Sequence, residues 1–237
     1  MSKMKLFCLP YAGGSAMIYK NKNWERYLDD SIELVPIELA GRGIRYSEKL
    51  YGNFNEAVDD IYNLIKGDLD KTDYAIYGHS MGSLLAYELY YKIKQLKNKS
   101  SPRHMFFSGI QPPHLKINHK MIHHLPDKEF EEEIIGLGGT PKEIFENKEV
   151  FKFFLPTLRA DFKIIEKYNY VEKRDKIDCA ITILIGREDK LTKSNIVEWK
   201  IQTQSDCNIY SFQGDHFFIN SNVERITDII NNTLVKS

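Results

Sequence analysis

A serine held between two glycines, Gly78-His79-Ser80-Met81-Gly82, follows the apolar run Tyr74-Ala75-Ile76-Tyr77 and precedes Ser83-Leu84-Leu85-Ala86-Tyr87-Glu88-Leu89. Glycine has no side chain to pack in a strand and costs backbone entropy there. A tight strand-to-helix turn does need it. Strand, Gly-x-Ser-x-Gly, helix is a nucleophile elbow, which exposes the serine oxygen at the tip of a strained turn. The chemistry this offers is acyl transfer. A hydroxyl attacks a carbonyl once an imidazole takes its proton and a third group orients that imidazole.

Seven histidines compete for the role of base: His79, His104, His114, His119, His123, His124 and His216. On scaffolds with such an elbow the chain order is serine, acid, histidine, and only His216 lies beyond the last acid at a sheet edge. It sits in Gln213-Gly214-Asp215-His216-Phe217-Phe218, just past the apolar run Asn208 to Phe212. A lone histidine among phenylalanines is also what a packed core residue looks like, but position and order favour the base. For the acid, Asp178 precedes the run Ala180 to Ile185 and so falls at the wrong sheet edge. Asp189, in Gly186-Arg187-Glu188-Asp189, follows that run and shares the edge of Ser80; Glu188 remains the alternative. Asp215 adjoins the histidine in sequence, so its side chain should diverge from the ring.

A tetrahedral intermediate also needs backbone donors for its oxyanion. One is the amide after the nucleophile, at Met81. The other should come from Tyr11-Ala12-Gly13-Gly14-Ser15, where small residues let the backbone approach a substrate. Ala12 is the preferred donor, with Gly13 as the alternative.

Positioning these groups requires strands that end together. Short apolar runs at Lys5 to Leu9, Ile32 to Leu39, Tyr74 to Tyr77, His104 to Ser108, Ala180 to Ile185 and Asn208 to Phe212 alternate with helical patterns. Several are continuous rather than alternating, as expected of parallel strands covered on both faces. Capping boxes at Asn53…Glu56, Ser221…Glu224 and Thr140…Glu143 mark helix starts. The expectation is an α/β fold with a mostly parallel sheet flanked by helices. From about residue 111 to 171 the rhythm breaks into helical pattern alone, with Phe151 to Tyr170 at helix-like spacing. A helical insertion there would lie over the strands' C-terminal ends, where open α/β sheets bind ligands, and reads as a lid within a single domain spanning 1–237.

Composition limits the other readings. A chain of 237 residues can build one sizeable core. Lys+Arg and Asp+Glu are both 33, a formal net charge of zero, which argues against a nucleic-acid binder relying on a basic surface. The first apolar run is too short for a signal peptide and stops at Pro10, and no stretch nears the roughly 18 apolar residues of a membrane span. A cytoplasmic protein is therefore expected. The three cysteines, Cys8, Cys179 and Cys207, read as buried free thiols in a reducing compartment. The sequons at Asn98 and Asn231 then carry no weight. His119 and His123 stand four apart, but Lys120 occupies the position of a zinc protease's glutamate, so no metal is expected. Gly136-Leu137-Gly138-Gly139 follows no strand and is not a dinucleotide site.

The chain resembles the stand-alone type II thioesterases of nonribosomal peptide and polyketide synthesis, members of the α/β-hydrolase superfamily. The likeness runs over nearly the whole length, in Pro10-Tyr11-Ala12-Gly13-Gly14-Ser15, Gly41-Arg42-Gly43-Ile44-Arg45, Gly78-His79-Ser80-Met81-Gly82, Leu158-Arg159-Ala160-Asp161, Gly186-Arg187-Glu188-Asp189 and Gly214-Asp215-His216-Phe217-Phe218. The elbow is common to lipases and esterases; the Ala-Gly-Gly, Gly-Arg-x-x-Arg and Arg-Ala-Asp elements are more specific. The resemblance implies a cofactor-free monomer that hydrolyses acyl groups from the phosphopantetheine arm of an acylated peptidyl or acyl carrier protein. The alternatives are a small-molecule carboxylesterase and a medium-chain fatty acyl thioesterase. Asp215 departs from the family, which commonly has a second glycine there. Arg42 and Arg45 read equally as phosphate or carrier contacts and as structural pairs.

Overall fold

The computed structural model describes residues 3–96, 101–115, 120–138, 146–192 and 195–235. Six strands, β1 (Met4–Leu9), β2 (Ile32–Pro36), β3 (Tyr74–His79), β4 (His104–Ser108), β5 (Ala180–Gly186) and β6 (Cys207–Phe212), form one parallel sheet in the order β2-β1-β3-β4-β5-β6. All six apolar runs are strands. The second ends at Pro36 rather than at Leu39, the Cys8↔Pro36 pair being the last in that register. The Ile37 amide still donates to the Cys8 carbonyl at 2.9 Å, so the Pro36 nitrogen faces the open edge of the sheet, where a missing N–H costs no ladder bond.

Strand periodicity divides the core between the two faces of the sheet. Phe7, Leu9, Ile76, Met105, Phe107 and Ile183 point to one side, where they meet helices α3 (Phe54–Ile65) and α4 (Met81–Gln95). Leu6, Cys8, Ala75, Tyr77, Phe106 and Leu184 point to the other, against Tyr19 of α1 (Met17–Asn21), Trp24 of α2 (Trp24–Tyr27) and Ile226 and Ile230 of α7 (Val223–Leu234). Each such Leu, Ile or Phe contributes about 1.5–3 kcal/mol by leaving water. Burial on both sides explains why these strands read as continuous apolar runs.

The direction of strand order reverses between β1 and β3, which are neighbours although β2 lies between them in sequence. A crevice opens at such a reversal, outside the strands' C-terminal ends. The residues that follow β1 and β3 there are the Tyr11–Ser15 loop and Ser80.

The Asn53 box forms as read: its Oδ1 accepts the Glu56 amide at 3.0 Å and Glu56 returns a carboxylate oxygen to the Gly52 amide at 2.6 Å. The Ser221 box does not form. A 3-10 turn over Phe218–Asn220 draws the Ser221 hydroxyl back onto the Phe218 carbonyl at 3.3 Å, so α7 starts from Asn222 without a side-chain cap. The Thr140 box lies outside the described residues. Among the described residues of 111–171 there are two helices, α5 (Asp127–Leu137) and α6 (Lys148–Glu166), and no strand. They enclose a separate small core of Ile122, Phe130, Ile134, Phe151 and Leu158. Cys8 is buried and Cys179 and Cys207 are half-buried, all three as free thiols. Among the described residues no helix is long and apolar enough to cross a membrane.

Candidate active site

Ser80, between β3 and α4, holds a conformation that a residue with a side chain rarely adopts, φ 54° and ψ −117°. Such strain costs of order 1–3 kcal/mol and persists only where the surroundings over-determine it. Here they do. A Cβ on Gly78 would lie 2.2 Å from the Gly82 carbonyl oxygen, and one on Gly82 would lie 2.2 Å from that of Leu9. The flanking glycines are therefore required by close backbone approach. Ser83, which sequence reasoning passed over, pins the turn: its hydroxyl bonds the Gly78 carbonyl at 2.7 Å and the Ser108 carbonyl at 2.9 Å. The Ser80 amide donates to the Ser108 carbonyl at 2.7 Å.

His216 comes from the loop after β6 and Asp189 from the loop after β5. His216 Nε2 stands 2.8 Å from Ser80 Oγ, and its Nδ1 stands 2.8 Å from Asp189 Oδ2. An ionised carboxylate only accepts, so Nδ1–H donates to Asp189 and Nε2 is left to accept the Ser80 proton. Asp189 is buried and Glu188 exposed, which decides between the two carboxylates. Burial alone would raise the Asp189 carboxyl. The hydrogen bond and charge of His216, the Leu191 amide and the Thr192 side chain outweigh it and hold the group below the ordinary carboxylate value. Asp215 turns away from the ring, as expected, and accepts the Phe217 amide at 2.8 Å.

Rings fix the imidazole from the other side. Phe217 stands edge-on to His216 at 5.1 Å and Tyr11 packs on Phe217, while His79 lies 5.2 Å from His216. His79 is fully buried with Nδ1 on Ser108 Oγ at 2.8 Å. Burial, then the nearness of His216, pushes its pKa well below the ordinary histidine value. It is therefore a neutral packing partner, not a competing base.

Among the described residues, the amides of Ala12 and Met81 have no acceptor, whereas the Gly13 amide is already bound to Asp161 Oδ2 at 2.7 Å. Of these three amides, that of Gly13 is therefore occupied and those of Ala12 and Met81 are not. Ala12 and Met81 line one pocket with Ser80 and His216; its wall is largely apolar, with Leu84, Ile110, Leu191 and, from α5 and α6, Ile134, Leu137, Leu158, Phe162 and Ile165, and it also takes in Tyr11, Gln111 and Phe217. The pocket encloses about 820 Å³ with its open mouth included. Such an arrangement can seat a carbonyl beside Ser80 and hold an apolar chain under α5 and α6.

Arg42 and Arg45 resolve as structural pairs. Arg42 forks onto buried Asp161 at 2.6 and 2.7 Å, and Arg45 bonds Asp60 at 2.7 Å as well as Glu48. Asp161 had a legible signal, a charge among Leu158, Phe162 and Ile165 on an otherwise apolar helix face, but nothing named its partners. His119 lies outside the described residues, and His123 pairs with Glu166. Among the described residues no cluster of three or more His, Cys, Asp or Glu side chains could hold a metal ion.

Residues 4–234 match the thioesterase domain family. The chain is 38% identical to the linear gramicidin dehydrogenase LgrE of Brevibacillus parabrevis, covering 98% of this chain and 88% of that protein. It is 34% identical to the medium-chain S-acyl fatty acid synthase thioesterase of Anas platyrhynchos, covering 91% and 85%. The crystal structure of ClbQ from the colibactin NRPS/PKS pathway superposes with a TM-score of 0.93 at 36% identity, covering 99% of this chain and 98% of that one. The first of these bears a dehydrogenase's name; here Gly136 and Gly138 lie in and after the last turn of α5, not behind a strand as a dinucleotide turn requires. On the extent of the family match, the chain belongs to the thioesterase domain family and has the α/β-hydrolase fold.

Proposed function

We propose that the protein is a type II thioesterase that clears acyl groups from the phosphopantetheine arm of a carrier protein in nonribosomal peptide or polyketide synthesis. The observation that carries the reading is the unbroken relay Ser80–His216–Asp189, with 2.8 Å at each step, at an apolar pocket. His216 takes the Ser80 proton as Oγ attacks the thioester carbonyl, and Asp189 stabilises the resulting imidazolium. The amides of Met81 and Ala12 receive the oxyanion. Collapse expels the thiol, which takes the proton from His216. Water, deprotonated by the same imidazole, then releases the acyl group as a carboxylic acid. The α5–α6 segment acts as a lid over the acyl chain. The likeness to ClbQ supports the pathway class.

The apolar wall and the likeness to a medium-chain thioesterase support a second reading, release of medium-length fatty acyl chains. One experiment addresses both. Carrier proteins loaded with acetyl, hexanoyl or decanoyl groups are mixed with the protein, and the carrier's intact mass is followed. The proposal predicts loss of the short acyl mass with wild type and retention with Ser80→Ala. Preferential loss of decanoyl would favour the second reading, and no loss from any carrier would refute both.

A further inference from the structure

Asp161 belongs to the helical insertion, yet its carboxylate reaches the loop that carries the second oxyanion amide. Oδ2 accepts from the Gly13 amide at 2.7 Å and from Arg42 Nη1 at 2.6 Å, and Oδ1 accepts from Arg42 Nη2 at 2.7 Å. Arg42 Nη1 also holds the Gly14 carbonyl at 3.2 Å. The pair is buried, with side-chain exposures of 5% and 1%. One turn earlier on α6, Leu158 fills the space that a Gly13 side chain would need, 2.4 Å from its built Cβ, and Gly13 itself has φ +73°. The far end of the same loop is tied separately, by Glu38 on the Ser15 hydroxyl at 2.7 Å and the Ala16 amide at 3.0 Å.

We infer that Asp161, steadied by Arg42, is a positioning residue for the oxyanion hole: it locks the Gly13 peptide and thereby aims the Ala12 amide at the reacting carbonyl. The inference rests on the acyl-transfer reading of Ser80. Gly13 shares a peptide with Ala12, so fixing the Gly13 amide fixes the ψ of Ala12 and the orientation of the residue carrying the free N–H. A buried pair of this kind is weak evidence of stabilisation, since its desolvation offsets its attraction. Its geometry has a definite use, however. Docking of α6 and assembly of the oxyanion hole become one event, so displacement of the insertion would disarm the site without moving Ser80 or His216. Asp161 bonds Gly13 and Arg42 rather than the Ser80, His216 and Asp189 side chains, and it does not line the active-site pocket, so its influence runs through the Gly13–Gly14 loop.

The test uses two variants. Asp161→Asn keeps the volume but turns an N–H₂ toward either Gly13 or Arg42. Arg42→Met with Asp161→Leu removes both charges together, which spares the fold an unpaired buried ion. Thermal unfolding checks that each is folded. Three quantities are then read in wild type and variants: kcat and KM on a short acyl thioester, affinity for an alkyl boronic acid, and affinity for a non-hydrolysable thioether analogue. The boronic acid forms a tetrahedral adduct on Ser80 that uses the oxyanion hole; the thioether has no oxyanion. A folded variant should lose about ten- to a hundredfold in kcat and in boronate affinity, while thioether affinity stays within about twofold. Unchanged kcat in a folded variant, or equal losses for boronate and thioether, would overturn the inference. Wild type that neither cleaves thioester nor binds boronate would instead overturn the acyl-transfer reading beneath it.

Discussion

Ser80 Oγ and His216 Nε2 stand 2.8 Å apart although 136 positions separate them in the chain. The histidine loop starts from β6 at the edge of the sheet and must cross the ends of β5 and β4 to reach Ser80. Gly186 makes that crossing possible. A Cβ there would lie 2.3 Å from the Asp215 carbonyl oxygen, so the loop rests directly on the end of β5.

If this contact joins nucleophile to base, Ser80→Ala should abolish thioester turnover by several orders of magnitude and leave the fold intact. A fluorophosphonate should add one mass increment to wild type, localised by peptide mapping to Ser80, and none to the variant. Labelling that survives in the variant would place the nucleophile elsewhere.

A second expectation concerns acyl length. Leu137, Phe162, Ile165 and Leu191 line both the active-site pocket and an adjoining cavity bounded by Ile122 and Glu166. Phe162→Ala should join the two spaces and move the preferred acyl chain to greater length, read as kcat/KM across a series of acyl-coenzyme A thioesters. The truncation also costs stability, less than the about 3–5 kcal/mol of a fully buried aromatic because Phe162 is half-buried, so the series is run well below the variant's Tm.

The meeting of Ser80, His216 and Asp189 was legible because each sits at a strand end that the apolar runs already marked, and chain order left only His216 among the histidines. What the sequence could not supply was pairing at a distance. Arg42 and Asp161 are 119 positions apart and nothing local joins them. The engagement of the Gly13 amide likewise hangs on a contact from α6. Ser83 looked like an ordinary first-turn residue because its acceptors, the Gly78 and Ser108 carbonyls, become neighbours only once β3 pairs with β4. The Ser221 box failed for a local reason: a preceding 3-10 turn offered the hydroxyl a nearer acceptor.

Acid stability offers a third prediction, independent of catalysis. His104 is buried at the start of β4 on Thr182 Oγ1 at 2.8 Å, and burial lowers its pKa from 6.5 to about 4. Between those values the unfolded chain binds more protons than the folded one, so stability falls as pH drops from about 6.5 to about 4 and the loss levels off below that. The slope from one such histidine is at most about 1.4 kcal/mol per pH unit. His104→Gln, which can keep a bond to Thr182, should flatten the decline in urea-unfolding free energy over that window. An identical slope in the variant would show that His104 titrates alike in the folded and unfolded chain.

The most direct measurement of the central claim compares one acetyl group in three settings: on a carrier protein's phosphopantetheine arm, on coenzyme A and as an ethyl ester. Contacts remote from the reacting carbonyl can be used to position it, so kcat/KM should be highest for the carrier protein, lower for coenzyme A and lowest for the ester. Ser80→Ala should remove all three activities together. An ester hydrolysed as fast as the carrier-bound thioester would contradict the account and make the protein a general esterase.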